Sequence, residues 1–187
     1  MIYFTSDTHY SHKNIIKYSN RPFSSVEEMN ESLIDNWNKI VKPGDCVYHL
    51  GDLGFTKEEL MSSIVRRLNG QKFLIFGNHD KNLRKAENVL KYFVWSKDYF
   101  ELNVQVKGEK QKIVLAHYPF LTWNKSHHGS WHLHGHCHGT LPVNMSAKRI
   151  DVGVDCFNYT PVSIDEIGRL MAKRKFEPVD HHGIMDD

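Results

Sequence analysis

The sequence predicts a single α/β layered domain with mixed sheets, and three observations carry that expectation. Short β-rich runs alternate with helix-forming segments in the first half; each run ends at a polar residue; and a hairpin pattern replaces the alternation later. The first run, "MIYFTS", ends at Asp7. Ser25 followed by Glu28 is then a capping box ahead of "VEEMNESLIDNWNKIV", where Met29, Leu33, Trp37 and Ile40 recur at helical spacing. "CVYHL" ends at Gly51-Asp52. Thr56 with Glu59 repeats the capping device before "KEELMSSIVRRLNG", and Asn69-Gly70 supplies a left-handed stop. "KFLIF" ends at Gly77-Asn78. "DYFELNVQV", "KGEK" and "QKIVLAHY" read as a β-hairpin delivering His117; a long loop, the strand "RIDVGVD" and the helix "SIDEIGRLMAKRK" follow. In such folds ligands sit beyond the carboxyl ends of strands, where Asp7, Asp52, Asn78 and His117 fall.

A length of 187 residues fits one domain better than two. Residues 1–175 are expected to form it, with a polar tail over 176–187 that contains His181 and His182. With 24 basic against 22 acidic side chains, the net charge of +2 offers no basic stripe for nucleic acid, although a local nucleotide site stays open. The N-terminus lacks a basic and an apolar signal region, and no run approaches the ~20 apolar residues of a membrane helix. A cytoplasmic chain without membrane contact is expected, and no obligate protein partner is implied. Cys46, Cys137 and Cys156 lack CxxC spacing, which disfavours a disulfide framework and a structural zinc site.

Histidine is the anomaly, at 13 residues, most of them near glycine or aspartate. Asp7 and His9, two apart just past a strand end, can both turn toward one ion. Asp52 has two carboxylate oxygens and could bridge two ions. In "FGNHD", Asn78 offers a neutral carbonyl ligand, His79 a group that titrates near neutrality, and Asp80 a carboxylate able to hold an imidazole in one tautomer. His117 and the pair His136 and His138, with Gly135 and Gly139 on either side, complete the set. Taken singly, each has a plain reading as a turn aspartate or a loop histidine. Together they make the mixed N and O donor set that a two-metal site requires. Cys137 should point away from its neighbours' face.

The ordered set Asp7-x-His9, Gly51-Asp52, Gly77-Asn78-His79-Asp80, His117 and Gly135-His136-Cys137-His138 resembles the signature of the calcineurin-like metallophosphoesterases. The phrases "HKNIIKYSNRPF", "SWHLHGHCHG" and "VGVDCFNYTPVSIDEI" are similar to those of small single-domain members from bacteria and their phages. The resemblance implies a four-layer α/β/β/α sandwich with two mixed sheets and a dinuclear metal site at the strand ends. One ion would take Asp7, His9, Asp52 and His138, the other Asp52, Asn78, His117 and His136, with Asp52 as the bridge. His79 matches the histidine that the family places beside the scissile phosphate without binding metal.

The implied reaction is hydrolysis of a phosphoester by a hydroxide made between two divalent ions, with Asn78 balancing charge and His79, oriented by Asp80, protonating the leaving oxygen. Manganese is the first choice of ion; Fe, Zn, Co and Ni suit the same donors. Family members acting on phosphoserine carry Asp-Arg-Gly after Gly-Asp, whereas this chain reads "GDLGFTKEE". A phosphodiester of nucleotide or nucleic-acid type is therefore preferred over a phosphomonoester or phosphoprotein, and a non-catalytic scaffold of the same fold is the remaining alternative. His12, Asn14 and Arg21 are candidate substrate contacts, Arg21 as a phosphate clamp, with a plain surface role as the alternative for each. His49 is expected to be a hydrogen-bonded core histidine in preference to a ligand, and His132 and His134 to pack against the sheet, with support behind the ligands as their alternative. The aromatic and histidine-rich loop over residues 120–131 could be a lid or simple packing.

Overall fold

The computed structural model describes residues 1–177 and 179. Apolar runs become strands β1 (Ile2–Thr5), β2 (Cys46–His49) and β3 (Gln71–Ile75), separated by helices α1 (Ile15–Tyr18), α2 (Val26–Ile40) and α3 (Glu58–Arg67). The strands pair in parallel, as crossover helices require. Helix α4 (Glu87–Leu90) leads to β4 (Phe93–Lys97), which the sequence reading did not separate out although "YFVWS" has the β-branched and aromatic composition of a strand. The sheet runs β4-β3-β2-β1 and is closed by β9 (Val162–Ser163), antiparallel to β1.

A second sheet holds the expected hairpin, β5 (Tyr99–Val106) with β6 (Glu109–Ala116), followed by β7 (Trp131–His134) and β8 (Arg149–Asp151) in parallel. The hairpin turns on two residues, Lys107 and Gly108, both with positive φ, so its strands run two residues further than the four-residue loop allowed. "RIDVGVD" supplies a strand only to Asp151. There the Asp151 carboxylate accepts the Gly153 amide at 2.8 Å and turns the chain. Helix α5 (Ile164–Ala172) follows β9 directly, capped by Ser163, whose hydroxyl accepts the Glu166 amide.

Helix starts obey sequence unevenly. Ser25 accepts the Glu28 amide at 3.1 Å, while the Glu28 carboxylate takes the Ser24 amide in place of that of Ser25. The box expected at Thr56 does not form: α3 starts one residue later, with Lys57 as an N-cap that makes no side-chain bond. Helix α2 buries Met29, Leu33, Ile34 and Trp37. Each such side chain contributes about 1.5–3 kcal/mol of burial. With Met61, Ile64 and Val65 of α3 they cover the outer face of the first sheet.

The inner faces of the two sheets share a second core, in which Phe4, Tyr48 and Phe73 stack in series at 5.7 and 4.6 Å. The apolar face of α5 joins this core through Ile164, Ile167 and Met171. Against the second sheet the 120–131 loop packs by its aromatics, Phe120 lying on the His132 ring at 5.0 Å. The architecture is thus mixed α/β with two mixed sheets packed together. The expected tail lies outside the described residues except for 176, 177 and 179; His181 and His182 fall outside them. Among the described residues no helix is long and apolar enough to cross a membrane.

Candidate metal centre

The strand ends of both sheets open onto one seam. Past β1, β2 and β3 lie Asp7 and His9, Asp52, and Asn78 with His79; past β6 and β7 lie His117, His136 and His138. The two edges are stitched by backbone, Val154 donating to the Ser6 carbonyl at 3.0 Å and the His136 amide reaching both oxygens of Asp7 at 3.1 and 3.0 Å.

Side chains from the seam converge in two groups of potential ligands: Asp7, His9 and His138, and Asp52, His117 and His136. Asp52 stands between them. Its Oδ2 lies 3.6 Å from His9 Nε2 and 3.5 Å from His117 Nε2, while its Oδ1 accepts the His79 amide at 2.8 Å. Asn78 Oδ1 is 2.9 Å from His117 Nε2 and 3.0 Å from His136 Nδ1. Donor atoms spaced by about 3 Å are what ligand bonds of 2.0–2.2 Å to one ion produce. His9 Nε2 is buried without a hydrogen-bond partner, a costly state for an imidazole nitrogen unless a cation takes its lone pair. The residues therefore fit a pair of divalent ions.

The backbone is bent to this purpose. Asp7, His9, Asp52, His136 and His138 all have positive φ, between 48° and 72°, a region that side-chain-bearing residues seldom occupy and that costs about 1–3 kcal/mol each. Such turns point side chains into the seam where continued strands would alternate them. Close approach is set by two glycines: a Cβ at Gly77 would lie 2.5 Å from the Asp52 amide nitrogen, and one at Gly135 would lie 2.7 Å from Ser6 Cβ and closer to the Asp7 carboxylate.

Electrostatics follow burial. Burial pushes the Asp7 carboxyl up to about 7 against the pull of His117 and His138. It also pushes His9 down to about 2, although Asp52 opposes it. Burial raises Asp52 as well, but the His117 hydrogen bond and the nearby imidazoles outweigh it and hold that carboxyl at about 2. His117 donates Nδ1–H to the Leu50 carbonyl at 2.8 Å, which leaves Nε2 to face the seam.

Other histidines brace the fold. His49 bridges Thr8 Oγ1 at 2.9 Å and the Gly51 amide at 3.3 Å, tying the first two ligand loops together. His132 bonds the Val114 carbonyl and the Phe120 amide, and His134 the Gly135 carbonyl. His79 is exposed, its ring 5.4 Å from that of His9, and lines three adjoining clefts. His12 lies beside it, with its Nδ1 3.4 Å from that of His9, in a cleft of about 590 Å³ shared with His136, Cys137 and His138.

Three expected roles change. Asp80 does not hold the His79 ring: its buried carboxylate is taken by the amides of Gly77, Asp52 and Leu53 at 2.8, 2.8 and 3.0 Å, so it fixes the backbone of two ligand loops. Arg21 is no phosphate clamp. Its guanidinium is buried and every N–H is spent on Asp155, on the Asp7 and Thr8 carbonyls, and on Met29 Sδ. Asn14 starts α1 on the exposed side and lines none of these clefts. Two residues were missed. Phe55, exposed and lining two clefts beside His79, carries no sequence signal; Asp155, at the end of "VGVD", was read as part of a strand.

Two mixed sheets with two groups of candidate metal ligands at their strand ends have the fold and site of a metal-dependent phosphoesterase. The family model for calcineurin-like phosphoesterases matches residues 1–154, and the chain belongs to that family. It is similar to the uncharacterized protein MJ1445 of Methanocaldococcus jannaschii, 41% identical over 93% of each chain. The Gene 66 protein of Mycobacterium phage L5 is 28% identical over 90% of this chain and 93% of its own. The crystal structure of AQ665, a protein of unknown function from Aquifex aeolicus, superposes with a TM-score of 0.66 at 29% identity, covering 91% of this chain and 98% of the other.

Proposed function

We propose that this chain hydrolyses phosphodiesters of the nucleotide or nucleic-acid class with two divalent ions, manganese first among them. The observation that carries this reading is one carboxylate oxygen, Asp52 Oδ2, between His9 Nε2 and His117 Nε2 at 3.6 and 3.5 Å, with a ligand group on either side. Asp7, His9, Asp52 and His138 would hold one ion, and Asp52, Asn78, His117 and His136 the other. Bound there, the ions would supply Lewis acidity toward the phosphate and bring a water's pKa toward neutrality. His79 would donate the proton to the departing oxygen. Its backbone N–H donates to Asp52 Oδ1 and fixes it beside the bridge, and Asp80 contributes by holding both loops in place.

Two features favour a diester. Clefts of about 750 and 590 Å³ meet at His79, one lined by Asn78 and His117 and the other by His9, His136 and His138, giving room for a substituent on each side of phosphorus. Among the described residues the guanidiniums nearest the site are engaged elsewhere: Arg21 is spent internally, and Arg84, which lines one of these clefts, is paired with Asp98 in place of a dianionic monoester. The free cysteines suit a reducing cytoplasm. The test is to load metal-free protein with each divalent ion and assay bis-p-nitrophenyl phosphate beside p-nitrophenyl phosphate. Diester turnover well above monoester turnover is expected. The reverse would favour a phosphomonoesterase, and turnover of neither a scaffold.

A further inference from the structure

A buried ion pair with no part in the apolar core stands behind one of the two ligand groups. The Arg21 side chain is fully buried and that of Asp155 nearly so, and they meet in a two-pronged contact, Nε to Oδ1 and Nη2 to Oδ2, both at 2.9 Å. Taking two charges out of water is costly unless further hydrogen bonds complete them. Here those bonds go to the ligand loops. Arg21 Nη2 donates to the Asp7 carbonyl at 2.7 Å and Nη1 to the Thr8 carbonyl at 2.9 Å, gripping the segment whose left-handed residues, Asp7 and His9, aim at the seam. On its other side, Asp155 Oδ2 takes His138 Nδ1 at 2.7 Å. The His138 ring is thereby turned with Nε2 free, stacked 5.2 Å from His9. One ion pair thus fixes all three members of the Asp7, His9 and His138 group. The second group is braced only in part: the Leu50 carbonyl holds His117 Nδ1 at 2.8 Å and the Asp80 carboxylate the Asp52 amide, but a carbonyl, not a carboxylate, stands behind His117, and His136 is exposed, its ring bonded to Asn78.

We infer that Arg21 and Asp155 are positioning residues that hold the Asp7, His9 and His138 group assembled before any cation arrives, so that the two sites load in order, this one first and tightly, the Asp52, His117 and His136 site second and weakly. Asp155 lies one residue beyond the region matched by the family model. The inference rests on the dinuclear reading above. A carboxylate behind a ligating imidazole fixes its tautomer and raises its basicity, and loss of such a partner weakens metal binding by about 10- to 100-fold.

Calorimetric titration of the metal-free full chain with Mn²⁺ tests it. Wild type should bind two ions in resolved steps. Asp155→Asn, which keeps the shape and removes the charge, should weaken the tighter step by about 10- to 100-fold, leave the weaker step within about threefold, and recover activity when Mn²⁺ is raised in proportion. An unchanged tight step, an equal loss in both steps, or no rescue by excess metal would overturn the inference. Two equal steps in wild type would overturn the loading order. Fewer than two ions in wild type would instead remove the dinuclear reading beneath it. A measurement on wild type covers the case of a variant that does not fold. In ¹¹³Cd-loaded protein with ¹⁵N-labelled histidine, His138 should couple to cadmium through Nε2 and keep a proton on Nδ1; coupling through Nδ1 would refute the brace.

Discussion

Gly77→Ala adds one methyl group outside the ligand set and should damage both metal sites. The new Cβ would lie 2.5 Å from the Asp52 amide nitrogen and 2.9 Å from Asp52 Cγ, and closer still to Oδ1. Non-bonded heavy atoms settle at about 3.5–4.0 Å, so Asp52 must retreat by about 1 Å. Neither loop can yield alone, because the Asp80 carboxylate holds the amides of Gly77, Asp52 and Leu53 together. Overpacking of this kind costs about 1–3 kcal/mol, and for a chain of this size each kcal/mol lowers the melting temperature by about 2–4 °C. A misplacement of about 1 Å at a reacting centre costs about 10²-fold in rate. Metal content, melting temperature and kcat/KM on a diester should be measured on one preparation. The expected result is reduced retention of both ions, since Asp52 faces both groups, with about a 10²-fold loss of kcat/KM. Gly135→Ala is the contrast: its Cβ meets Ser6 and the Asp7 carboxylate, so the Asp7, His9 and His138 site should weaken more than the other. Wild-type ion content and rate in Gly77→Ala would show that the bridge does not depend on this close approach.

Asp52→Asn should lose both ions and turnover together, because one anionic ligand serves two cations; two tightly held ions by metal analysis would disprove the bridge. His79→Ala should keep both ions yet lose about 10²- to 10⁴-fold on a dinucleotide, and much less on a nitrophenyl diester whose leaving group needs no proton. Equal losses on the two substrates would point to phosphate positioning. In the metal-free protein, His49 and His132 are pushed down to about 3 by burial, so both are neutral in the folded chain. Their folded values lie below the unfolded value of about 6.5. Stability is therefore fully present above that value and is lost as pH falls from about 6.5 toward 3. Urea midpoints measured between about pH 7 and 4 should decline, and a flat profile would contradict the burial argument.

The candidate ligand positions were legible because each ends an apolar run, where a strand must stop and a polar residue must find a partner: Asp7, Asp52, Asn78 and His117 all lie past strand ends as expected. The helix start at Ser25 was legible for the same local reason, whereas Thr56 was not, since Lys57 opens α3 without a side-chain cap. What escaped was long-range. Arg21 and Asp155 are 134 residues apart, and no periodicity marks two charges that will meet in the interior. From its place in "GNHD" Asp80 was expected to orient His79, but its partners include amides of a different loop, and an acceptor of backbone amides has no signature in side-chain pattern.

The seam itself has a consequence for how slowly the protein comes apart. Asp7, His9, Asp52 and Asn78 belong to the first sheet, and His117, His136 and His138 to the second. Ions held between them would act as staples across the docked sheets, made only once those sheets have come together. Interactions absent from the transition state slow unfolding without speeding folding. Metal loading should therefore lengthen survival under heat or protease challenge while refolding from denaturant proceeds at the same rate with or without the ions.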